Sequence, residues 1–185
     1  MHPFQARGSA GANDEEDDLA LLRAPDGAFK DAAVIRAKPV HSGDSVVAIG
    51  YPFHGLLTSD FTVTTGIVNS LSGILNDTRY LQISAAVQPG NSGGPLLDAG
   101  GEIIGMVAAK MNTMKFIRAT GNIPENINFA IKTGAIRDFL DNSAVLYQTA
   151  EPRPELKTAD IAQAARAYTL LISCNAAEQA DSARK

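Results

Sequence analysis

The stretch Gly90-Asn91-Ser92-Gly93-Gly94-Pro95 carries the residue types that nucleophilic acyl chemistry needs. A serine flanked by glycines and an asparagine can expose its hydroxyl on a tight turn, and the backbone N–H groups of Gly90 and Ser92 can then point at one spot. A nucleophile beside two convergent donors is two parts of a site that attacks a carbonyl and holds the resulting oxyanion. The third part is a general base. The chain holds only three histidines that could supply one, His2, His41 and His54.

Two chain orders can present such a serine. In one, the serine sits on a strand-to-helix elbow, with the acid and then the histidine following it. No histidine follows Ser92 here, and the residues after it, Asp98-Ala99-Gly100-Gly101 between Pro95-Leu96-Leu97 and Glu102-Ile103-Ile104-Gly105-Met106-Val107-Ala108, read as a hairpin. Both facts count against that order. The other order, histidine then aspartate then serine, belongs to paired antiparallel barrels.

The elements that would position the serine are strands. Leu19-Ala20-Leu21-Leu22-Arg23, Ala33-Val34-Ile35-Arg36, Ser45-Val46-Val47-Ala48-Ile49-Gly50, the alternating run 60–70, Tyr80-Leu81-Gln82-Ile83-Ser84 and Asn128-Phe129-Ala130-Ile131 are short and apolar or β-branched. Turn signals such as Pro25-Asp26-Gly27, His41-Ser42-Gly43-Asp44 and Asn76-Asp77 punctuate them, and Gly66 predicts a bend or bulge. That pattern predicts an all-β barrel or sandwich. Helical spacing comes only later, at 134–140 with Thr133 as its cap and at 158–166, followed by a strand-like run at 168–173. Residues 110–125 read as a long loop.

Composition narrows the function classes. Hydrophobic residues are 45% and charged residues 19% of the 185, which fits a folded domain. The net charge of −4, with Lys and Arg scattered, gives no nucleic-acid surface. No apolar run has the length of a membrane span. Cys174 is the one cysteine, so no internal disulfide framework is expected. The histidines lack metal-ligand spacing, so no metal or other cofactor is implied.

Several segments together resemble the trypsin-like serine peptidases, and within them the catalytic domain of the bacterial HtrA/Deg branch. The serine loop with Ala85-Ala86-Val87-Gln88-Pro89 ahead of it is one. Asp18-Leu19-Ala20-Leu21-Leu22 resembles the strand whose aspartate orients the catalytic histidine. The segments 43–53, 63–69, 101–105 and 128–131 match in place and order, so the resemblance covers about residues 14–142. It implies an antiparallel six-stranded second barrel at 39–132, a remnant of the first barrel at 14–38, a disordered leader at 1–13, and a C-terminal helix and extension at 133–185.

The resemblance also implies roles. Ser92 would be the nucleophile, the N–H groups of Gly90 and Ser92 the oxyanion hole, and Asp18 the orienting acid. Ala85, Ala86 and Val87 would line one wall of the primary specificity pocket, with Val107 and Ala108 opposite. No carboxylate falls at the pocket base, which predicts small or medium apolar side chains over Lys or Arg. The activity implied is that of a serine endopeptidase on protein or peptide substrates. The resemblance favours an exported or periplasmic bacterial protein.

The family's histidine precedes the aspartate in an Ala-His or Asn-His turn. Only 17 residues precede Asp18, and His2 lacks that context. His41 and His54 come after Asp18 and read as surface residues. The expectation is therefore a chain without most of its first barrel and nearly inactive alone. Residues 1–40 should then be poorly packed or satisfied by a partner chain, self-association through the incomplete barrel included. The alternatives are a non-catalytic module that binds extended peptides and a histidine supplied in trans. About 40 residues after the barrel are too few for a PDZ-like domain.

Overall fold

The computed structural model describes residues 9–24, 27, 29–56, 60–108, 118, 121 and 127–172. The strands are β1 (Ser9–Asp14), β2 (Leu19–Arg23), β3 (Val34–Arg36), β4 (Ser45–Gly50), β5 (Thr62–Ser70), β6 (Tyr80–Ile83), β7 (Pro95–Asp98), β8 (Ile103–Val107), β9 (Asn128–Lys132) and β10 (Gln148–Ala150). The helices are α1 (Thr133–Asn142) and α2 (Thr158–Ala165), with a 3-10 turn at Ile74–Asn76. Among the described residues, no helix is long and apolar enough to cross a membrane.

Six strands, in the order β8-β7-β4-β5-β6-β9, close into a barrel through the β8–β9 pairing, and every neighbouring pair in it is antiparallel. Of the barrel or sandwich that the run of short strands predicts, it is the barrel, with the six strands that the resemblance implies. Its interior is Val46, Ala48, Val68, Leu81, Ile83, Leu96, Ile104, Val107 and Ala130. Strand alternation places Val46 and Ala48 inside and Val47 and Ile49 outside. Yet Val46 to Gly50 are all buried, because α2 covers the outer face with Ile161 and Ala165 against Val47, Ile49, Leu97 and Phe61. A strand covered on both faces reads in sequence as a continuous apolar run, as this one does.

A second outer cluster joins the barrel to the early chain. Leu19 packs with Tyr80, Phe129 and Ile131, and α1 adds Ile136 and Phe139. β1 and β2 form a separate two-stranded antiparallel sheet, so residues 9–13, expected in a disordered leader, include a paired strand. Packing of the early chain is uneven rather than poor throughout: Leu19 and Ile35 are buried, while Leu22 and Phe29 are exposed. β3, expected with the first-barrel remnant, lies in the main sheet beside β8 and is paired in parallel by β10.

The predicted bend at Gly66 has a steric cause. A Cβ there would stand 2.3 Å from the Ala85 nitrogen, so only glycine lets β5 pass the 84–85 segment. The register shift itself falls later, between Val68 and Ser70. Two local expectations are corrected. Thr133 does not cap α1. Lys132 is still extended, held in strand β9 by its pairing with Gly105, so Thr133 is already the first helical residue. The described part of 168–173 is not a strand: 166–168 turn, and the Tyr168 and Thr169 N–H groups bond the Ala165 carbonyl that ends α2, which leaves Leu170, Leu171 and Ile172 exposed. Cys174 and His2 lie outside the described residues.

Candidate active site

The serine loop is pinned by backbone. Asn91 N–H donates to the Gln88 carbonyl at 2.9 Å, Gly94 N–H to the Asn91 carbonyl at 2.9 Å, and Gly93 N–H to the Val107 carbonyl at 2.9 Å. Tyr51 N–H donates to the Gly90 carbonyl at 3.1 Å, and Val107 N–H returns to the Gly94 carbonyl at 2.9 Å. The Asn91 side chain is buried inside the turn, where its Oδ1 accepts the Gln88 N–H at 3.2 Å. Two glycines are required by contact. A Cβ on Gly94 would lie 2.0 Å from the Ile49 carbonyl oxygen, and one on Gly90, whose φ is +104°, would lie 2.5 Å from that of Tyr51. The loop therefore sits directly against the end of β4, with Ser92 exposed at its tip.

Asp18 ends the tight turn between β1 and β2, at a positive φ of 55°. Asp and Asn tolerate that left-handed region better than most side chains. Asp14 Oδ1 accepts the Glu16 and Asp17 N–H groups, which closes the turn. The packing of Leu19 against Tyr80 and Ile131 then sets this turn over the barrel.

Asp18 and Ser92, 74 positions apart in the chain, line the same cleft, together with Tyr80, Gly93, Met106, Val107, Ala108 and Ile131. Its volume is about 100 Å³. Burial pushes the Tyr80 phenol above its ordinary value, and the Arg79 guanidinium partly opposes that. Asp77, hydrogen-bonded to Arg79, together with Asp17, holds that guanidinium above its own ordinary value.

The structure places the expected site residues unequally. Ser92, Asp18, Val107 and Ala108 share the cleft. Ala85, Ala86 and Val87 do not line it: Ala85 is buried in the barrel interior, Val87 packs against that interior, and Ala86 is exposed. Polar contacts hold this segment, from Asn128 Nδ2 to the Ala85 carbonyl at 2.9 Å and from Thr64 Oγ1 to the Ala86 carbonyl at 2.8 Å. Neither described histidine lines the cleft. His41 lies in a turn whose backbone N–H bonds Asp44, and His54 meets the Tyr51 ring edge-on at 6.0 Å. Nothing local in the sequence marks Tyr80, Met106 and Ile131 as site residues. They are ordinary strand positions, and only closure of the barrel brings them to Ser92.

Comparisons with known proteins agree with this geometry. Residues 4–106 match the family model described as the trypsin-like peptidase domain. The chain is 38% identical over 165 residues to the uncharacterised protein y4bJ of Sinorhizobium fredii, covering 88% of this chain and 26% of that protein. It is 37% identical over 138 residues to the serine protease HTRA1 of Xenopus tropicalis, covering 70% and 26%. The solved serine endoprotease from Yersinia pestis superposes with a TM-score of 0.59 at 29% identity, over 75% of this chain and 44% of that one. The chain belongs to the trypsin-like peptidase family, and its barrel is the second barrel of that fold. Within the family it is HtrA-like. It spans about a quarter of the length of the curated relatives it matches.

Proposed function

We propose that this chain carries the nucleophile and the orienting acid of a serine endopeptidase that works through an acyl-enzyme, and that it is nearly inactive by itself. Ser92 Oγ attacks the scissile carbonyl and forms the ester after the amine leaves; water then releases the acid. The N–H groups of Gly90 and Ser92 hold the oxyanion, each worth roughly 3–4 kcal/mol in such sites. Asp18 holds the tautomer of an imidazole standing between it and Ser92, and stabilises its charged form. Val107 and Ala108 in the cleft wall favour small or medium apolar side chains in the substrate over Lys or Arg. No membrane-spanning helix is present among the described residues, and the substrate class is protein or peptide.

The observation that carries this reading is the single cleft shared by Asp18 and Ser92. The two described histidines, His41 and His54, lie in turns away from that cleft. Without its base, a serine site keeps only about 10³–10⁴-fold catalysis over water. A histidine supplied from another chain would restore the base.

Free imidazole tests the arrangement. Labelling of Ser92 by a fluorophosphonate should be slow alone and rise with imidazole concentration. Ser92→Ala should abolish it, and Asp18→Asn should remove most of the imidazole-dependent part. Labelling that ignores imidazole would overturn the reading. The second reading is a module without catalysis that binds extended peptides by strand addition. On that reading extended peptides bind, yet Ser92 stays inert at every imidazole concentration.

A further inference from the structure

We infer that Arg79 is a positioning residue for Asp18, which rests on the reading of Asp18 and Ser92 given above. Arg79 ties the turn that presents Asp18 to the barrel strand that floors the cleft. Its Nε and Nη2 donate to the two oxygens of Asp77 at 3.1 and 2.9 Å, a bidentate fork that fixes the guanidinium plane. Nη1 then reaches across to the acidic turn, to Asp17 Oδ1 at 2.9 Å and Glu16 Oε1 at 3.1 Å. One cation thus spans two segments that lie 62 and 63 positions apart in the chain.

Both ends of this bridge abut the cleft. Asp17 precedes Asp18, whose left-handed backbone leaves it dependent on contacts made by its neighbours. Tyr80 follows Arg79, lines the cleft, and lies under the guanidinium with its ring centre 5.9 Å from Cζ. The Arg79 carbonyl is fixed from the other side by the Lys132 N–H at 2.8 Å. The backbone at 79 is therefore part of the barrel, and the side chain is the part that crosses to the turn. Beyond this bridge, Leu19 is the buried apolar contact that the hairpin makes with the barrel.

The fork is what distinguishes this position from a generic positive charge. Lysine would keep the charge but cannot hold Asp77 with two donors while offering a third to Asp17. The acidic residues 14–17 thereby gain a structural use: two of their carboxylates are the handle by which the turn is held.

The test uses Arg79→Gln, Arg79→Lys and Asp18→Asn in the full chain, with two readouts. The first is amide hydrogen exchange in 18–21 against that in β4. The second is the imidazole-dependent labelling rate of Ser92 and its half-saturating imidazole concentration. The expected result for Arg79→Gln is faster exchange in the hairpin, unchanged exchange in β4, a maximal labelling rate lower by on the order of tenfold, and a higher half-saturation. Arg79→Lys should recover part of the rate. A role limited to stability would lower the folded fraction and leave the half-saturation where it was. Arg79→Gln labelling like the wild type while Asp18→Asn is impaired would overturn the inference and leave the reading of Asp18 standing. Asp18→Asn labelling like the wild type, or a wild type inert at every imidazole concentration, would sink that reading and the inference with it.

Discussion

The two halves of the candidate site are held in opposite ways. The serine loop is built into the barrel: its N–H and carbonyl groups are exchanged with β8 and the loop after β4, Gly94 abuts the backbone of β4, and its asparagine is buried. The acidic turn is held from outside, by one packed leucine and by ion pairs around a partly exposed arginine. The first depends on sterics and backbone pairing, which neither salt nor pH alters much. The second depends on charges near the surface, where each pair is worth little and is screened. One site therefore joins a rigid partner to an adjustable one.

The largest expected break is on the rigid side. Gly94→Ala places a methyl group 2.0 Å from a backbone oxygen of β4 that cannot step aside. It should cost about 3 kcal/mol or more, read as a large drop in urea midpoint with loss of the whole barrel transition. Leu19→Ala strikes the adjustable side, at a residue only 5% exposed. It should weaken docking of the hairpin by about 2–3 kcal/mol, seen as selective proteolysis and faster exchange within 9–24 while the barrel melts nearly as before.

Glu102 sharpens the contrast, because it is a charge placed where the turn's charges are not. Its side chain is fully buried, and burial first, then the neighbouring Asp98 carboxylate, raises its proton affinity above the ordinary glutamate value. Arg153 Nε stands 3.0 Å from Oε1, an attraction that only partly offsets this. In the window between the ordinary and the raised value, the folded chain keeps a proton that the unfolded chain releases. Stability should therefore fall as pH rises through that window. Denaturation from about pH 4 to pH 8 should show that fall, and Glu102→Gln should flatten it. The smallest effect belongs to Asp14→Ala, which removes the acceptor for two turn N–H groups. It should cost about 0.5–1 kcal/mol, confined to hairpin exchange.

Much of the barrel is legible in the residues. The run 45–50 reads as a buried strand because it is apolar on both faces. Asp98-Ala99-Gly100-Gly101 reads as a hairpin because Asp98 Oδ1 accepts the Gly100 and Glu102 N–H groups, which is local turn chemistry. The serine loop is legible in part for the same reason, since its asparagine bonds within three residues. What sequence missed is non-local. β10 is a three-residue parallel partner of β3, more than a hundred positions away, and its exposed Gln148 and Thr149 carry no strand pattern. Leu170, Leu171 and Ile172 look like a strand, but no strand pairs with them among the described residues. Arg79 was invisible as a clamp because its partners across the cleft share no local period with it.

The covering of β4 by α2 sets an order of events when the chain is made. All six barrel strands leave the ribosome before Ile161 and Ala165 do. Until then, Val47, Ile49, Leu97 and Phe61 form an uncovered apolar face on an otherwise pairable barrel. The nascent chain is most open to chaperone capture in that interval, and α2 acts as the seal that ends it.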